Sequence, residues 1–123
     1  MLKVQAKNLG NVAVLCLQGR IVKGETEMLR KALHSLSEVS AVILDLARVT
    51  AVDARGLGVM LELREQAESK GIRFELMNVT KLVRRVLEVT RLDSVFAVTS
   101  GVEFFPAVSR GRQASMPWLA SCA

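Results

Sequence analysis

Stretches of period-two and period-3.6 apolar patterning alternate along this chain, and that alternation limits what it can fold into. Leu2, Val4 and Ala6 alternate with Lys3, Gln5 and Lys7, which predicts a strand with one wet face. Leu9-Gly10-Asn11 is a turn signal, and Val12 to Leu17 is a nearly all-apolar run, expected as a second strand buried on both faces. Gly19 is expected to end it, and the short link between the two strands predicts an antiparallel hairpin. From Gly24 the period changes. Leu29, Ala32, Leu33 and Leu36 share one face, predicting an amphipathic helix of about 13 residues with acids in its first turn.

Ala41 to Leu46 is a compact, branched-rich run and reads as a central strand. A second helix is expected from about Arg55 to Ser69, with Leu57, Met60, Leu61, Leu63 and Ala67 inward and Gly71 as its stop. Ile72, Phe74 and Leu76 alternate with Arg73 and Glu75 as a further strand. Thr80 is expected to cap a third helix that turns Leu82, Val83, Val86 and Leu87 inward, and Val95 to Val98 is a short last strand. Strand, strand, then three helix–strand units is an α/β order. It predicts a mixed, mostly parallel five-stranded sheet with helices and an N-terminal antiparallel hairpin. Both prolines, Pro106 and Pro117, come after this core. The domain is therefore placed at residues 2–108, with 100–108 as a short terminal helix interrupted by Pro106. Residues 109–123 are expected to be a loose basic tail, dispensable for folding, in which Trp118 alone has the size to dock in a groove or on a second copy.

A chain of 123 residues holds one domain with a real core. No apolar run approaches the roughly 20 residues that span a bilayer, and no leader-like segment is expected at the N-terminus, so the expected location is cytoplasmic, without membrane insertion. Cys16 and Cys122 could form one bridge; the expected state is a buried thiol and a tail thiol in a reducing compartment. One His and two separated Cys offer nothing from which to build a zinc site, and no cofactor is expected. His34 falls on the polar side of its helix and reads as a solvated residue. No pattern brings it to a cysteine, so an enzyme is not expected. The net charge is +5, from 17 basic and 12 acidic side chains. The basic residues are scattered and no aromatic residues interleave with them, so a nucleic-acid partner is not expected.

In an open parallel sheet, function gathers beyond the carboxyl ends of the strands. The link Ala47 to Gly58 stands there. Asp53 suits a helix N-cap. Gly56 and Gly58 at a helix start cost about 1 kcal/mol each in propensity relative to Ala. Such a cost points either to close approach of a partner chain or to tight packing of the helix on a strand. The spacing is not that of a phosphate loop, which also needs a Lys.

The run Val42-Ile43-Leu44-Asp45-Leu46, then Val49-Thr50, then Val52-Asp53-Ala54-Arg55-Gly56-Leu57-Gly58, resembles the STAS domain of bacterial anti-sigma-factor antagonists. The likeness continues through Val83-Arg84-Arg85-Val86-Leu87-Glu88-Val89-Thr90 and Leu92-Asp93-Ser94-Val95-Phe96, and back to Val14 through Ile21, covering roughly residues 2–105. The resemblance implies a protein-binding module that docks an anti-sigma factor with serine-kinase activity and so frees a sigma factor. It also implies a switch: the kinase phosphorylates a Ser or Thr directly after the Asp, and binding is lost. A phosphate adds about −1.5 to −2 charge where a partner must pack.

This sequence departs at that position. Ala54 follows Asp53 and has no hydroxyl, and Arg55 replaces the small residue usual before Gly56. Ser35, Ser37, Ser40, Thr50, Thr80, Thr90 and Ser94 do not match the motif. Val22 stands where the family often has Asp. The expected partner surface is Val22, Asp53, Ala54, Arg55, Gly56, Leu57, Gly58 and Leu61, with Ala54 in the phosphorylation position. The expected role is a non-phosphorylatable antagonist-like module in bacterial transcription regulation. The alternative is a divergent STAS scaffold subunit of a stress-sensing or membrane-transport complex. A homodimer is compatible with either.

Overall fold

A computed structural model of the chain describes residues 2–36 and 38–99. The order is β1 (Lys3–Leu9), β2 (Val12–Ile21), α1 (Glu27–His34), β3 (Ala41–Val52), α2 (Ala54–Ser69), β4 (Arg73–Met77), α3 (Lys81–Val89) and β5 (Ala97–Thr99). The five strands lie in the sheet in sequence order. β1 and β2 pair antiparallel, Leu9 facing Val12, and every later pair is parallel. This is the expected mixed α/β architecture. The terminal segment expected at 100–108, the domain boundary at 108, the tail from 109 and Trp118 lie outside the described residues.

Sequential order has a consequence for the helices. Successive crossovers of one hand, stepping in one direction, lay every helix on the same face of the sheet. One core cluster accordingly joins Leu29 of α1, Leu57, Met60 and Leu63 of α2, and Val83 and Leu87 of α3 to Leu15, Leu44, Phe74 and Leu76 of the strands. Phe74 and Phe96 stack at 6.4 Å with their rings tilted. The alternate strand residues form a second cluster on the opposite face: Val12, Val14, Cys16, Ala41, Ile43 and Met77. Cys16 is disulfide-bonded, which corrects the expectation of a buried thiol; Cys122 lies outside the described residues.

Four element boundaries also differ from expectation; β5 covers Ala97–Thr99 where Val95 to Val98 was expected. β2 does not stop at Gly19. Gly19 takes a left-handed φ of 114°, the ladder shifts register around it, and the strand resumes to Ile21. β3 does not stop at Leu46 but runs to Val52, where it pairs with Ile21. The alternation is broken because Ala47 and Arg48 are both exposed, while Asp45 turns the chain by accepting the Ala47 N–H at 3.0 Å. α1 has 8 residues, fewer than expected. Ser35 Oγ donates back to the Ala32 carbonyl at 2.8 Å, and Glu38 takes a left-handed φ of 56°, so the helix cannot go on through Leu36.

Candidate functional site

The extension of β2 and β3 brings the ends of both strands together just below the start of α2. Asp53 follows Val52 directly and caps α2 as expected. Its carboxylate accepts the Gly56 N–H at 2.7 Å and the Lys23 N–H at 3.0 Å, so it ties the helix start to the β2–α1 loop. The Asp53 N–H donates to the Ile21 carbonyl at 3.3 Å. The bonds from the Lys23 and Gly56 amides hold the Asp53 carboxyl below its ordinary pKa.

Gly56 is buried against the end of β2. A Cβ there would lie 1.8 Å from the Ile21 carbonyl oxygen. Its role is therefore tight helix–strand packing, the second of the two readings open in the sequence, and it does not present a surface to a partner. Leu57 is likewise buried, 5% exposed, in the main core. Leu61 is half-buried and packs on that core. Gly58 faces solvent with no atom within 4 Å of where its Cβ would be. Ala54 and Arg55 are exposed in the first turn of α2, and Val22 is half-buried beside them. Of the eight expected surface residues, the structure thus gathers Val22, Asp53, Ala54, Arg55 and Gly58 on an accessible rim. It withdraws Gly56 and Leu57, and largely Leu61, into the supporting layer.

Two residues of this rim were not legible as such in the sequence. Lys23 and Arg30, with Arg55, Glu27 and Val59, border a hollow of about 250 Å³ between α1 and α2. Arg30 is committed to carboxylates, 3.2 Å from Glu62 and 3.9 Å from Glu27. Among the described residues Lys23 and Arg55 make no ion pair, so the rim beside Ala54 is cationic. The signal available was the Lys23-Gly24-Glu25 turn, whose proximity to Arg55 depends on the Asp53 tie. At the base of the loop Arg20 pairs with Glu25 at 2.9 Å. His34 lies at the C-terminal end of α1 and does not border this hollow. It is exposed, its Nε2 is 3.1 Å from Gln66 Oε1, and it serves to join α1 to α2. Among the described residues no group of three or more His, Cys, Asp or Glu is placed to hold a metal ion.

A sheet in strict sequence order, a capped helix at the β3 end and a hydroxyl-free position after the cap are the features to compare with known proteins. The sequence model of the STAS domain matches residues 3–110. This chain belongs to the STAS domain family. It is 25% identical over 91 residues to a STAS-domain containing protein of Pseudomonas aeruginosa strain UCBPP-PA14, covering 73% of this chain and 90% of that one. Its fold is similar to an anti-sigma factor antagonist from Mycobacterium paratuberculosis, with a TM-score of 0.72 at 20% identity over 84% of this chain and 89% of that one. It is also similar to a sulfate transporter family protein from Wolinella succinogenes, with a TM-score of 0.66 at 23% identity over 75% and 80% of the two chains. Among the described residues no helix is long and apolar enough to cross a membrane.

Proposed function

We propose that this STAS domain is a partner-binding module of the anti-sigma-factor-antagonist kind, acting in bacterial transcription regulation and held permanently in the unphosphorylated state. The observation that carries the proposal is Ala54: an exposed residue in the first turn of α2, directly after the Asp53 cap, with no hydroxyl to accept a phosphate. The docking surface is the rim of Val22, Asp53, Ala54, Arg55 and Gly58. Gly56, Leu57 and Leu61 set its shape from beneath. The partner is an anti-sigma factor with serine-kinase activity, which would find the helix N-terminus free of phosphate at all times. Its contact surface should be acidic where it meets Lys23 and Arg55, since two unpaired cations favour a negative counterpart and speed encounter.

The similarity to the transporter protein's domain supports a second reading, a scaffold subunit of a transport complex. Both readings use the same rim and no catalysis. One experiment separates them: affinity capture with the full chain from its native host, followed by incubation of the captured complex with ATP. Recovery of a kinase-like protein that stays bound, with no phosphate on the α2 entrance by mass spectrometry, supports the antagonist reading. Stoichiometric phosphate there or on Thr50 with release of the partner refutes the locked state. Capture of membrane-transport subunits instead selects the scaffold.

A further inference from the structure

The hollow between α1 and α2 holds polar groups that the docking rim does not use. Its volume is about 250 Å³, and three cations border it: Lys23, Arg30 and Arg55. Among the described residues Glu27 is the one carboxylate on its lining; that side chain is 68% exposed and lies 3.9 Å from Arg30. Asp53 does not border the hollow, and its carboxylate is already bonded to the Lys23 and Gly56 amides. Thr26 is 8% exposed, lines the hollow and stands at the N-cap of α1, yet its side chain makes no capping bond. Its backbone gives the reason. At φ −97° and ψ −4° Thr26 is already helical, whereas the working caps Asp53 and Thr80 are extended. The first-turn amides of α1 are therefore left uncapped beside a buried hydroxyl that has no partner among the described residues. Arg30 directs its two terminal nitrogens to Glu27 and Glu62, and its Nε is buried with no partner. Buried polar groups without partners are costly and rare in folded proteins, and a ligand is one way to satisfy them.

We propose that this hollow binds a phosphate-class dianion, either inorganic phosphate or the phosphate group of a small monoester. The unsatisfied groups are all donors: the Thr26 hydroxyl, the Arg30 Nε–H and the first-turn amides of α1. A tetrahedral oxyanion presents acceptor oxygens on every side, and Lys23 and Arg55 supply the charge to hold it. Size narrows the class. Sites for drug-sized ligands run to roughly 300–1,000 Å³, so this hollow suits a phosphate group and is too small to enclose a nucleotide.

The site does not rest on the docking proposal, but it bears on it. A bound dianion neutralises Lys23 and Arg55, the two cations offered to an acidic partner. It also sets negative charge beside the α2 entrance without a covalent bond, where Ala54 has no hydroxyl to phosphorylate. Free phosphate would then weaken partner binding by a route that needs no kinase.

The test titrates the full chain alone with inorganic phosphate and, separately, with glycerol phosphate. Calorimetry and amide NMR shifts read the binding, at an ionic strength held constant with sodium chloride. The expected result is saturable binding, with shifts centred on Lys23 to Arg30 and on Ala54 and Arg55. Tighter binding of glycerol phosphate assigns the site to a monoester, and equal binding assigns it to phosphate itself. Thr26→Val keeps the shape of the side chain and removes the hydroxyl. That hydroxyl caps nothing in the fold, so the variant should keep its melting temperature and lose about tenfold in phosphate affinity. Lys23 and Arg55 are exposed, so Lys23→Gln with Arg55→Gln should also fold, and should lose about tenfold or more. A response no different from that to chloride, shifts scattered over the surface, or variants that fold and bind phosphate as the parent does would each overturn the site, and none of these touches the docking proposal. Phosphate that binds here yet leaves a captured partner in place upholds the site and counts against an acidic partner surface on Lys23 and Arg55.

Discussion

Gly56 and Gly58 sit two residues apart at the start of one helix, and the sequence treats them as a pair. The structure separates them by what a methyl group would meet. At position 56 it would strike the Ile21 carbonyl oxygen at 1.8 Å, and backbone cannot swing aside as a side chain can. Gly56→Ala should therefore push α2 off the sheet and destabilise the fold by about 1–3 kcal/mol, read by urea unfolding. At position 58 the added methyl meets nothing, so Gly58→Ala should stabilise by about 0.5–1 kcal/mol through helix propensity alone. Equal effects of the two changes would contradict this account. The Asp53 cap was legible, because an Asp before a helical period has one common use. The close approach at Gly56 was not, because it depends on where β2 ends, a tertiary fact. Asp53 also sets a pH dependence. Its carboxyl is held below its ordinary value of 3.8 by the Lys23 and Gly56 amides. Its contribution to stability is complete above that value and is lost as pH falls through the lower folded-state pKa. Melting temperature should drop on that acid limb, and Asp53→Ala should both lower the plateau and shallow the drop.

The elements around the rim were legible in kind and misplaced in extent. β3 was expected to end at Leu46, since alternation stops there. The strand goes on because β2 offers a partner as far as Ile21, and inter-strand pairing does not require an unbroken apolar pattern. That extension places Asp53 within reach of the Lys23 amide, and so builds the rim. The start of α2 then carries the functional expectation. Ala54→Ser restores a hydroxyl at a helix N-terminus, where free N–H groups favour an anion. With the cognate kinase and ATP, this variant should take up phosphate where the parent takes none. Arg55 and Lys23 would pair with that phosphate and blunt the release. Ala54→Asp carries a charge without any kinase, and should weaken partner binding by about tenfold, close to 1.4 kcal/mol. Calorimetric titration against the captured partner measures it. Undiminished affinity would place the interface elsewhere on the domain.

At the scale of the whole molecule, the strand order decides the layering. The sequence pattern supplied the α/β order and the parallel sheet, and it marked Val12 to Leu17 as buried on both faces. It did not say what buries the second face. Leu44 and Ile43 are neighbours at the centre of β3, both 0% exposed, and they point to opposite sides. Leu44 belongs to the helix-covered cluster and Ile43 to the strand-only one. Truncating Leu44 to Ala should cost about 2–5 kcal/mol, as for any large side chain removed from a sealed core. If the second face is sealed as completely, Ile43→Ala should cost as much in the full chain. Chemical denaturation of the two variants side by side decides it. A small Ile43 penalty beside a large Leu44 penalty would mean that the strand-only face is not sealed as the helix-covered face is.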